Sequence, residues 1–147
     1  LFGISMGAAS VLMAAAEEPR VAAVWEDSSY ASIDRAIRDE LARLGLPELL
    51  LPSALLVGQL VDGLDTTARS PIQAVEMLDG RPLFIAHGDA DLRVSAQHAE
   101  VLAQALAADT EVTPWVAEGS NHVQAVFDYP ELYEQYLVRF FQANLAN

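Results

Sequence analysis

The sequence predicts an α/β domain, a three-layer sandwich in which a mostly parallel sheet carries helices on both faces. Two short apolar runs, at 21–25 and 82–86, have the length of buried strands. Both are continuously apolar rather than alternating, which is typical of parallel strands that are covered on both faces. Segments with helical spacing separate these runs, so strands and helices alternate along the chain.

Helices are indicated around both predicted strands. A run of small and apolar helix formers at 6–18 follows a strand tail, Leu1-Phe2. Residues 31–44 place isoleucine and leucine at helical spacing, and Ser70-Pro71 begins a further short helix in N-cap and first-turn order. Another helix is expected from about residue 95 to residue 107.

The C-terminal third is predicted to hold an edge of the sheet. Residues 111–116 form a third predicted strand, and Pro114 within it cannot donate to a ladder, which places this strand at an edge. The last helix follows Pro130. Its apolar stripe is expected to pack in the core, and it consists of Tyr133, Tyr136, Leu137, Phe140 and Phe141.

Length and composition exclude several functions. With 147 residues, 52% of them hydrophobic, the chain suits a single domain, 1–147. Twenty-one acidic against eight basic residues give a net charge of −13, which repels phosphate backbones and anionic membrane surfaces. No nucleic-acid partner is therefore expected. The absence of cysteine excludes disulfides, a thiolate nucleophile and cysteine-based metal sites.

A Leu-rich stretch at 44–61 is long enough to raise the question of a membrane span. Pro47, Glu48, Pro52 and Gln59 interrupt it, so no membrane span is expected. Two interpretations stay open for this stretch, a lid over an apolar pocket and a plain packing helix. We assign it to a small, helical, lid-like insertion at about 28–70.

Chemistry is first indicated by Gly3-Ile4-Ser5-Met6-Gly7, which has the form G-x-S-x-G. This motif stands where the strand tail meets the first helix. A nucleophile at such a turn has a strained backbone, and small residues two positions before and after it let the strand and the helix approach closely. Gly3 and Gly7 meet that need, and Ser5 is the candidate nucleophile.

Two further polar motifs follow predicted strands. His87-Gly88-Asp89-Ala90-Asp91 comes after the strand at 82–86, and Gly119-Ser120-Asn121-His122 comes after the edge strand. The carboxyl ends of parallel strands lie on one rim of a sheet, and Ser5 is expected on the same rim. The sequence therefore predicts that Ser5, Asp91 and His122 converge on one reacting centre.

Together the three motifs resemble those of the α/β-hydrolases, and the likeness extends from the nucleophile elbow to the last helix, over essentially the whole chain. The resemblance implies a truncated α/β-hydrolase fold that lacks the N-terminal strands. It also implies that Ser5 is the nucleophile, His122 the base and Asp91 the acid that orients the histidine. The backbone N–H of Met6 would be one oxyanion donor, and in this family the other comes from a loop after an early strand, which would precede this sequence.

Other residues compete for these roles. Asp89 lies in the same loop as Asp91, and its other interpretation is a residue that forms the turn of that loop. Asp27 follows the first full strand, where some members of the family keep their acid. His87 ends a strand and His98 lies on a helix, so both are interpreted as structural. Tyr30 and the Met6 side chain either line a pocket or pack in the core.

No metal site or cofactor is expected. A metal site can be imagined from His87, Asp89, Asp91 and His122, but these residues lack the spacing of the known zinc motifs. The resemblance implies no cofactor either.

The leading interpretation is a serine hydrolase that cleaves carboxylic esters or related acyl bonds of small molecules, with residues 44–61 suggesting an apolar acyl group. Peptidases, thioesterases and acyltransferases use the same triad, so they stay open as alternatives. The other alternative is a non-catalytic fragment or half-domain that self-association or a partner chain completes. No targeting segment is visible in the sequence, and a cytoplasmic location is the expectation.

Overall fold

Four parallel strands form one sheet in the computed structural model, which describes residues 1–63, 69–106, 110 and 112–145. The strands are β1 (Phe2–Ile4), β2 (Val24–Asp27), β3 (Leu83–Gly88) and β4 (Val112–Ala117), and they lie in the sheet in chain order. Each neighbouring pair is parallel. The predicted α/β fold with a parallel sheet is confirmed.

Seven α-helices in the described part of the chain connect and cover these strands. The first, α1 (Met6–Glu17), joins β1 to β2. The longer connection from β2 to β3 holds α2 (Ile33–Arg43), a 3₁₀ helix (Glu48–Leu50), α3 (Leu51–Asp62) and α4 (Pro71–Val75). The helix between β3 and β4 is α5 (Gln97–Ala105), and α6 (Ala125–Asp128) and α7 (Pro130–Leu145) follow β4.

Helices cover both faces of the sheet, as predicted. On one face α1, α4 and α5 pack against β2 and β3, around Leu12, Val75, Leu83, Ile85 and Leu102, all of which are buried. Burying a side chain of this size contributes about 1.5–3 kcal/mol. This first core holds the elements whose ends carry the candidate site residues Ser5 and Asp91.

Aromatic side chains fill the other face, between the sheet and α7. The rings of Trp25 and Phe84 stack in parallel with their centroids 3.8 Å apart, as their in-register positions on β2 and β3 dictate. From α7, Phe140 meets both rings edge-on and Tyr133 tilts against Trp25. The stripe predicted for the last helix is therefore a core stripe, as expected.

Several predicted boundaries are confirmed, because the residues that predicted them start the helices in the structure. Ser70 precedes α4 and its backbone N–H donates to Gln73 Oε1 at 3.0 Å, while Pro71 opens the helix. Pro130 likewise opens α7. The strand with Pro114 lies at the edge of the sheet, although residue 111 falls outside the described residues, as does residue 107 of the helix predicted at about 95–107.

The bounds predicted for the strand at 21–25 are wrong, because β2 also includes Glu26 and Asp27. Both residues are fully buried. Their carboxylates accept hydrogen bonds within the fold: Ser29 N–H donates to Glu26 Oε2 at 3.0 Å, and Tyr133 Oη–H donates to Asp27 Oδ2 at 2.8 Å. Such bonds offset part of the cost of removing two carboxyl groups from water, and sequence pattern alone does not reveal them.

The Leu-rich stretch forms the 3₁₀ helix and α3, which packs against α2. Much of its apolar surface is exposed, including Leu56, Val57 and Leu60. Among the described residues, no helix combines the length and the apolar character that crossing a membrane requires.

Candidate active site

Ser5 occupies the turn between β1 and α1 with a strained backbone. Its φ of 52° and ψ of −124° lie outside the regions that non-glycine residues favour, at a cost of about 1–3 kcal/mol. The turn is held by β2, because the N–H of Ser5 donates to the carbonyl oxygen of Asp27 at 2.7 Å. The side chain of Ser5 consequently stands at the carboxyl end of the sheet, at the start of a helix.

The two glycines of the G-x-S-x-G motif differ in what they allow. A Cβ on Gly3 would lie 2.7 Å from the carbonyl carbon of Gly7 and 2.8 Å from Ala8 Cα, so only glycine fits where β1 passes α1. A Cβ on Gly7 would meet nothing within 4 Å. The expectation that only a small residue fits at position 7 is therefore wrong as far as contacts with the described residues go. The small residues that close packing requires on the helix are Ala8 and Ala9, which are fully buried.

The structure brings Ser5, His122 and Asp91 together. Ser5 Oγ lies 2.8 Å from His122 Nε2, and His122 Nδ1 lies 2.7 Å from Asp91 Oδ2. An ionised carboxylate can only accept hydrogen bonds, so His122 Nδ1 carries the proton and donates a hydrogen bond to Asp91. Nε2 is then free to accept the hydroxyl proton of Ser5, which is the tautomer a general base requires.

The carboxylate of Asp91 is held in its ionised form. Burial alone would raise its pKa, but hydrogen bonding outweighs burial and lowers the pKa to about 2. Oδ1 accepts the backbone N–H groups of Arg93 and Val94, each at 2.8 Å, and Oδ2 contacts His122 and His87. The side chain of Asp91 is fully buried, so this acceptor is fixed in position beside His122.

The loops that carry Asp91 and His122 are tied to each other. Asn121 Oδ1 accepts the backbone N–H of Leu92 at 3.1 Å and that of His122 at 2.7 Å. The role of Asn121 was not predicted, although an asparagine next to the candidate base is a local signal for such a turn. Asp89 accepts the N–H of Gly119 at 2.6 Å, which fits the alternative interpretation of Asp89 as a turn-former.

Asp27, the rival acid, is occupied elsewhere. Its Oδ1 accepts from Ser28 Oγ–H at 2.8 Å and its Oδ2 accepts from Tyr133. Burial raises the pKa of Asp27, and these hydrogen bonds only partly oppose that rise. The carboxylate that lies within hydrogen-bond distance of His122 is therefore that of Asp91.

The two other histidines have different surroundings. His98 Nδ1 accepts the N–H of Ala31 at 2.9 Å and its Nε2 lies 3.1 Å from Asp39 Oδ2, so it links α5 to α2 as a structural residue would. His87 is fully buried, and its Nε2 lies 3.3 Å from Asp91 Oδ2. No pattern in the sequence predicts this contact.

A pocket of about 790 Å³ opens beside Ser5. Its wall comes from α2, which lies within the insertion predicted at about 28–70, and from the loop after Asp91. None of the lining residues belongs to the Leu-rich stretch at 44–61. Tyr30 and Met6, whose roles the sequence left open, both line it. The further lining residues include Ile33, Ala36, Glu40, Arg43, Leu92, Arg93 and Val94.

Metal ligands are not clustered at this site. Across the described ranges, no group of three or more His, Asp or Glu side chains is arranged to hold a metal ion.

Solved structures share this architecture. The chain is similar to the esterase Pf2001 from Pyrococcus furiosus, with 20% identity and a TM-score of 0.73 over 98% of this chain and 52% of that one. It is also similar to the α/β hydrolase GrgF from Penicillium sp. sh18, with 17% identity and a TM-score of 0.68 over 100% of this chain and 64% of that one. An acylaminoacyl peptidase matches with 16% identity and a TM-score of 0.68, over 96% of this chain and 23% of the peptidase.

These similarities show that the chain has the α/β-hydrolase fold that its motifs predict. The chain spans about half the length of the Pyrococcus esterase structures it matches. No protein-family model matches the sequence, and no curated protein matches it either.

Proposed function

We propose that the chain carries the active site of a serine hydrolase that cleaves carboxylic esters or related acyl bonds through an acyl-enzyme. The observation that carries the proposal is the hydrogen-bonded series from Ser5 Oγ to His122 to Asp91, with distances of 2.8 and 2.7 Å. A serine alone is a weak nucleophile, and a base within hydrogen-bond reach that is itself oriented by a carboxylate is what activates it.

In the first step Ser5 Oγ attacks the acyl carbon while His122 Nε2 takes the hydroxyl proton. His122 then returns this proton to the leaving alcohol, and the C–O bond of the ester breaks to leave an acyl-Ser5. A water molecule attacks the acyl carbon next, again giving its proton to His122, and the acid departs as Ser5 recovers its proton. Asp91 stays ionised throughout and stabilises the imidazolium of His122.

The developing oxyanion needs hydrogen-bond donors. Met6 is the first residue of α1, so its backbone N–H has no partner within the helix and stands beside Ser5 at the positive end of the helix dipole. We assign Met6 N–H as one donor of the oxyanion hole. A single donor of this kind is worth about 10²–10³ in rate.

The substrate is proposed to be a small molecule with an apolar acyl or alkoxy group. Ile33, Ala36 and Leu92 supply apolar wall to the pocket. Arg43 and Glu40 also line it, but they are paired with each other, because Arg43 Nε donates to Glu40 Oε2 at 2.7 Å. Peptidase, thioesterase and acyltransferase activities use the same triad, and the choice among them depends on the leaving group and on the acyl acceptor.

The proposal is tested by covalent labelling with a fluorophosphonate, read by intact mass and by peptide mapping. Labelling is expected at Ser5 and is expected to be lost in Ser5→Ala and His122→Ala. Ser10→Ala is the matched control, since Ser10 Oγ donates to the carbonyl oxygen of Met6 and lies on the exposed side of α1. This variant should be labelled like the unmodified protein.

Circular dichroism and chemical denaturation establish that each sample is folded. A folded protein that is not labelled would contradict the proposal and favour the non-catalytic alternative. Labelled protein would then be profiled with p-nitrophenyl esters of increasing chain length, and with thioester and peptide substrates.

A further inference from the structure

A second histidine contacts the carboxylate of the proposed triad. His87 lies near the end of β3, four residues before Asp91, and its side chain is completely buried. Its Nε2 lies 2.9 Å from the carbonyl oxygen of Val94 and 3.3 Å from Asp91 Oδ2. A carbonyl oxygen only accepts, so Nε2 carries a hydrogen, and one N–H at these distances can serve both oxygens.

Asp91 Oδ2 is therefore shared by two imidazoles. His122 Nδ1 approaches this oxygen to 2.7 Å and His87 Nε2 to 3.3 Å. The other oxygen, Oδ1, is occupied by the two backbone N–H donors of the loop. Among the donors to Asp91 that are described, His87 is the one side chain besides His122, so substitution can remove this contact without touching the proposed base.

Glu26 accompanies His87 on the neighbouring strand. It pairs in register with Ile85, so its side chain points to the same face of the sheet as that of His87, two residues further along β3. Glu26 Oε1 and His87 Nδ1 are both buried and have no hydrogen-bond partner among the residues that the structure describes. Two buried polar side chains, Glu26 and His87, therefore lie beside the site, although packing of the core does not require polar groups there.

We propose that His87 is a positioning residue of the active site: its Nε2–H fixes Asp91 Oδ2 and moderates the attraction between Asp91 and the base His122. This inference rests on the proposed function of Ser5, His122 and Asp91. It concerns how the acid is held rather than the chemistry itself. His87 touches neither Ser5 nor the pocket, so it does not act on a substrate.

The charged groups around His87 come from three elements. His87 interacts electrostatically with Glu26 and Asp27 of β2, with Asp91 of the loop after β3, and with His98 of α5. Burial disfavours the charged imidazole, but the hydrogen bonds to Asp91 and Val94, together with the charge of Asp91, outweigh burial and raise the pKa of His87.

Loss of the Nε2–H would leave Asp91 with one donor fewer. Its negative charge would then attract the protonated form of His122 more strongly, so a higher pH would be needed to free the base. If His87 is protonated, replacing it has the same effect, because its positive charge also opposes the negative charge of Asp91. In the profile of the Ser5 labelling rate against pH, the acid limb should therefore shift in the same direction whether His87 is neutral or protonated.

Two polar variants test the role of the Nε2–H. His87→Gln places an amide N–H near the position of Nε2, whereas the shorter side chain of His87→Asn reaches only the position of Nδ1. The second-order rate of fluorophosphonate labelling is measured against pH for the full 147-residue chain. We expect the acid limb to move up by about half a unit to one unit in His87→Asn and to stay in place in His87→Gln.

His98→Gln serves as the control, because His98 is equally buried but bonds to Ala31 and Asp39 instead of Asp91. Its acid limb should not move. A second readout needs no catalysis: the low-field proton resonance of the His122–Asp91 hydrogen bond should shift in His87→Asn and persist in His87→Gln. The chain has only three histidines, which makes the assignment direct.

An unchanged acid limb in a labelled His87→Asn protein would overturn the inference. Equal shifts in the two variants would also overturn it, because they would reduce His87 to a space-filling residue. If the unmodified protein is folded but not labelled, the proposed function fails, and the proton resonance still decides whether His87 positions Asp91.

Discussion

The carbonyl group of Ser120 fills the place where a side chain would begin on Gly88. A Cβ on Gly88 would lie 2.7 Å from the carbonyl carbon of Ser120 and closer still to its oxygen. This contact joins the end of β3 to the loop after β4, and the loops that leave these two points carry Asp91 and His122. The glycine therefore allows the close approach of the two loops in which Asp91 and His122 make their 2.7 Å contact.

Gly88→Ala is expected to separate these two loops. The added methyl group must push backbone rather than a flexible side chain, so His122 moves relative to Asp91 and Ser5. A displacement of about 1 Å costs on the order of 10²-fold in rate. The labelling rate at Ser5 should fall by that factor, with denaturant unfolding measured beside it. An unaltered rate in a folded variant would contradict the steric argument.

The elbow allows a matched pair of substitutions. Gly3→Ala brings a methyl group against the backbone of Gly7 and Ala8 and should lower the free energy of unfolding by about 2 kcal/mol or more. Gly7→Ala meets open space within α1 and should raise it by about 0.5–1 kcal/mol, because alanine is the better helix former. Urea denaturation of the two variants decides the point, and equal effects would refute it.

The two candidate acids can be separated by substitution. Asp91→Asn would replace the acceptor of His122 Nδ1–H by an amide and favour the wrong tautomer of the base, so kcat/KM should fall by about 10⁴-fold. Asp27→Asn should mainly reduce stability, because its partners are Ser28 and Tyr133. Labelling rates and denaturation curves distinguish these effects. If Asp27→Asn is labelled more slowly than Asp91→Asn, Asp27 rather than Asp91 would be the acid that orients His122.

Much of the fold could be predicted because its signals are local. The apolar runs, the Ser70 and Pro130 helix starts and Pro114 at the sheet edge depend on a few neighbouring residues. The positions of Ser5, Asp91 and His122 at the ends of strands follow from parallel topology once the strands are known. Their convergence could be expected because one rim collects all three loops.

The remainder depends on contacts between residues that are distant in the chain. The buried carboxyl group of Asp27 accepts a hydrogen bond from Tyr133, which lies 106 residues further along the chain, and no periodicity encodes that bond. The contact of His87 with Asp91 depends on how the loop after β3 folds back. The pocket wall comes from α2 rather than from the more apolar α3, because proximity to Ser5 and not hydrophobicity decides which helix lines it.

Substrate chain length should depend on Ala36 of α2. Ala36→Phe reduces the pocket volume, so kcat/KM for a long-chain p-nitrophenyl ester should fall about 10-fold or more relative to the acetate ester. Leu60→Ala on α3 is the control, since Leu60 is 77% exposed and does not line the pocket. A change of chain-length preference in the Leu60 variant, and not in the Ala36 variant, would contradict this prediction and favour the lid interpretation of α3.

Glu26 should make the stability of the protein fall as pH rises. Complete burial raises its pKa to about 8 from an ordinary value of 4.5. Between these two pH values the unfolded chain has released the proton that the folded chain still holds, so each rise in pH favours unfolding. The contribution of Glu26 is therefore least unfavourable below about pH 4.5 and most unfavourable above pH 8.

Glu26→Gln removes this titration. The difference in free energy of unfolding between the variant and the unmodified protein should rise, in favour of the variant, by on the order of 3 kcal/mol from pH 5 to pH 8. Any constant cost of the new amide cancels in this comparison. Glu134→Gln, on the exposed surface of α7, gives the baseline. Urea denaturation at four pH values measures the slope, and parallel curves for the Glu26 variant and the unmodified protein would show that Glu26 is ionised in the fold.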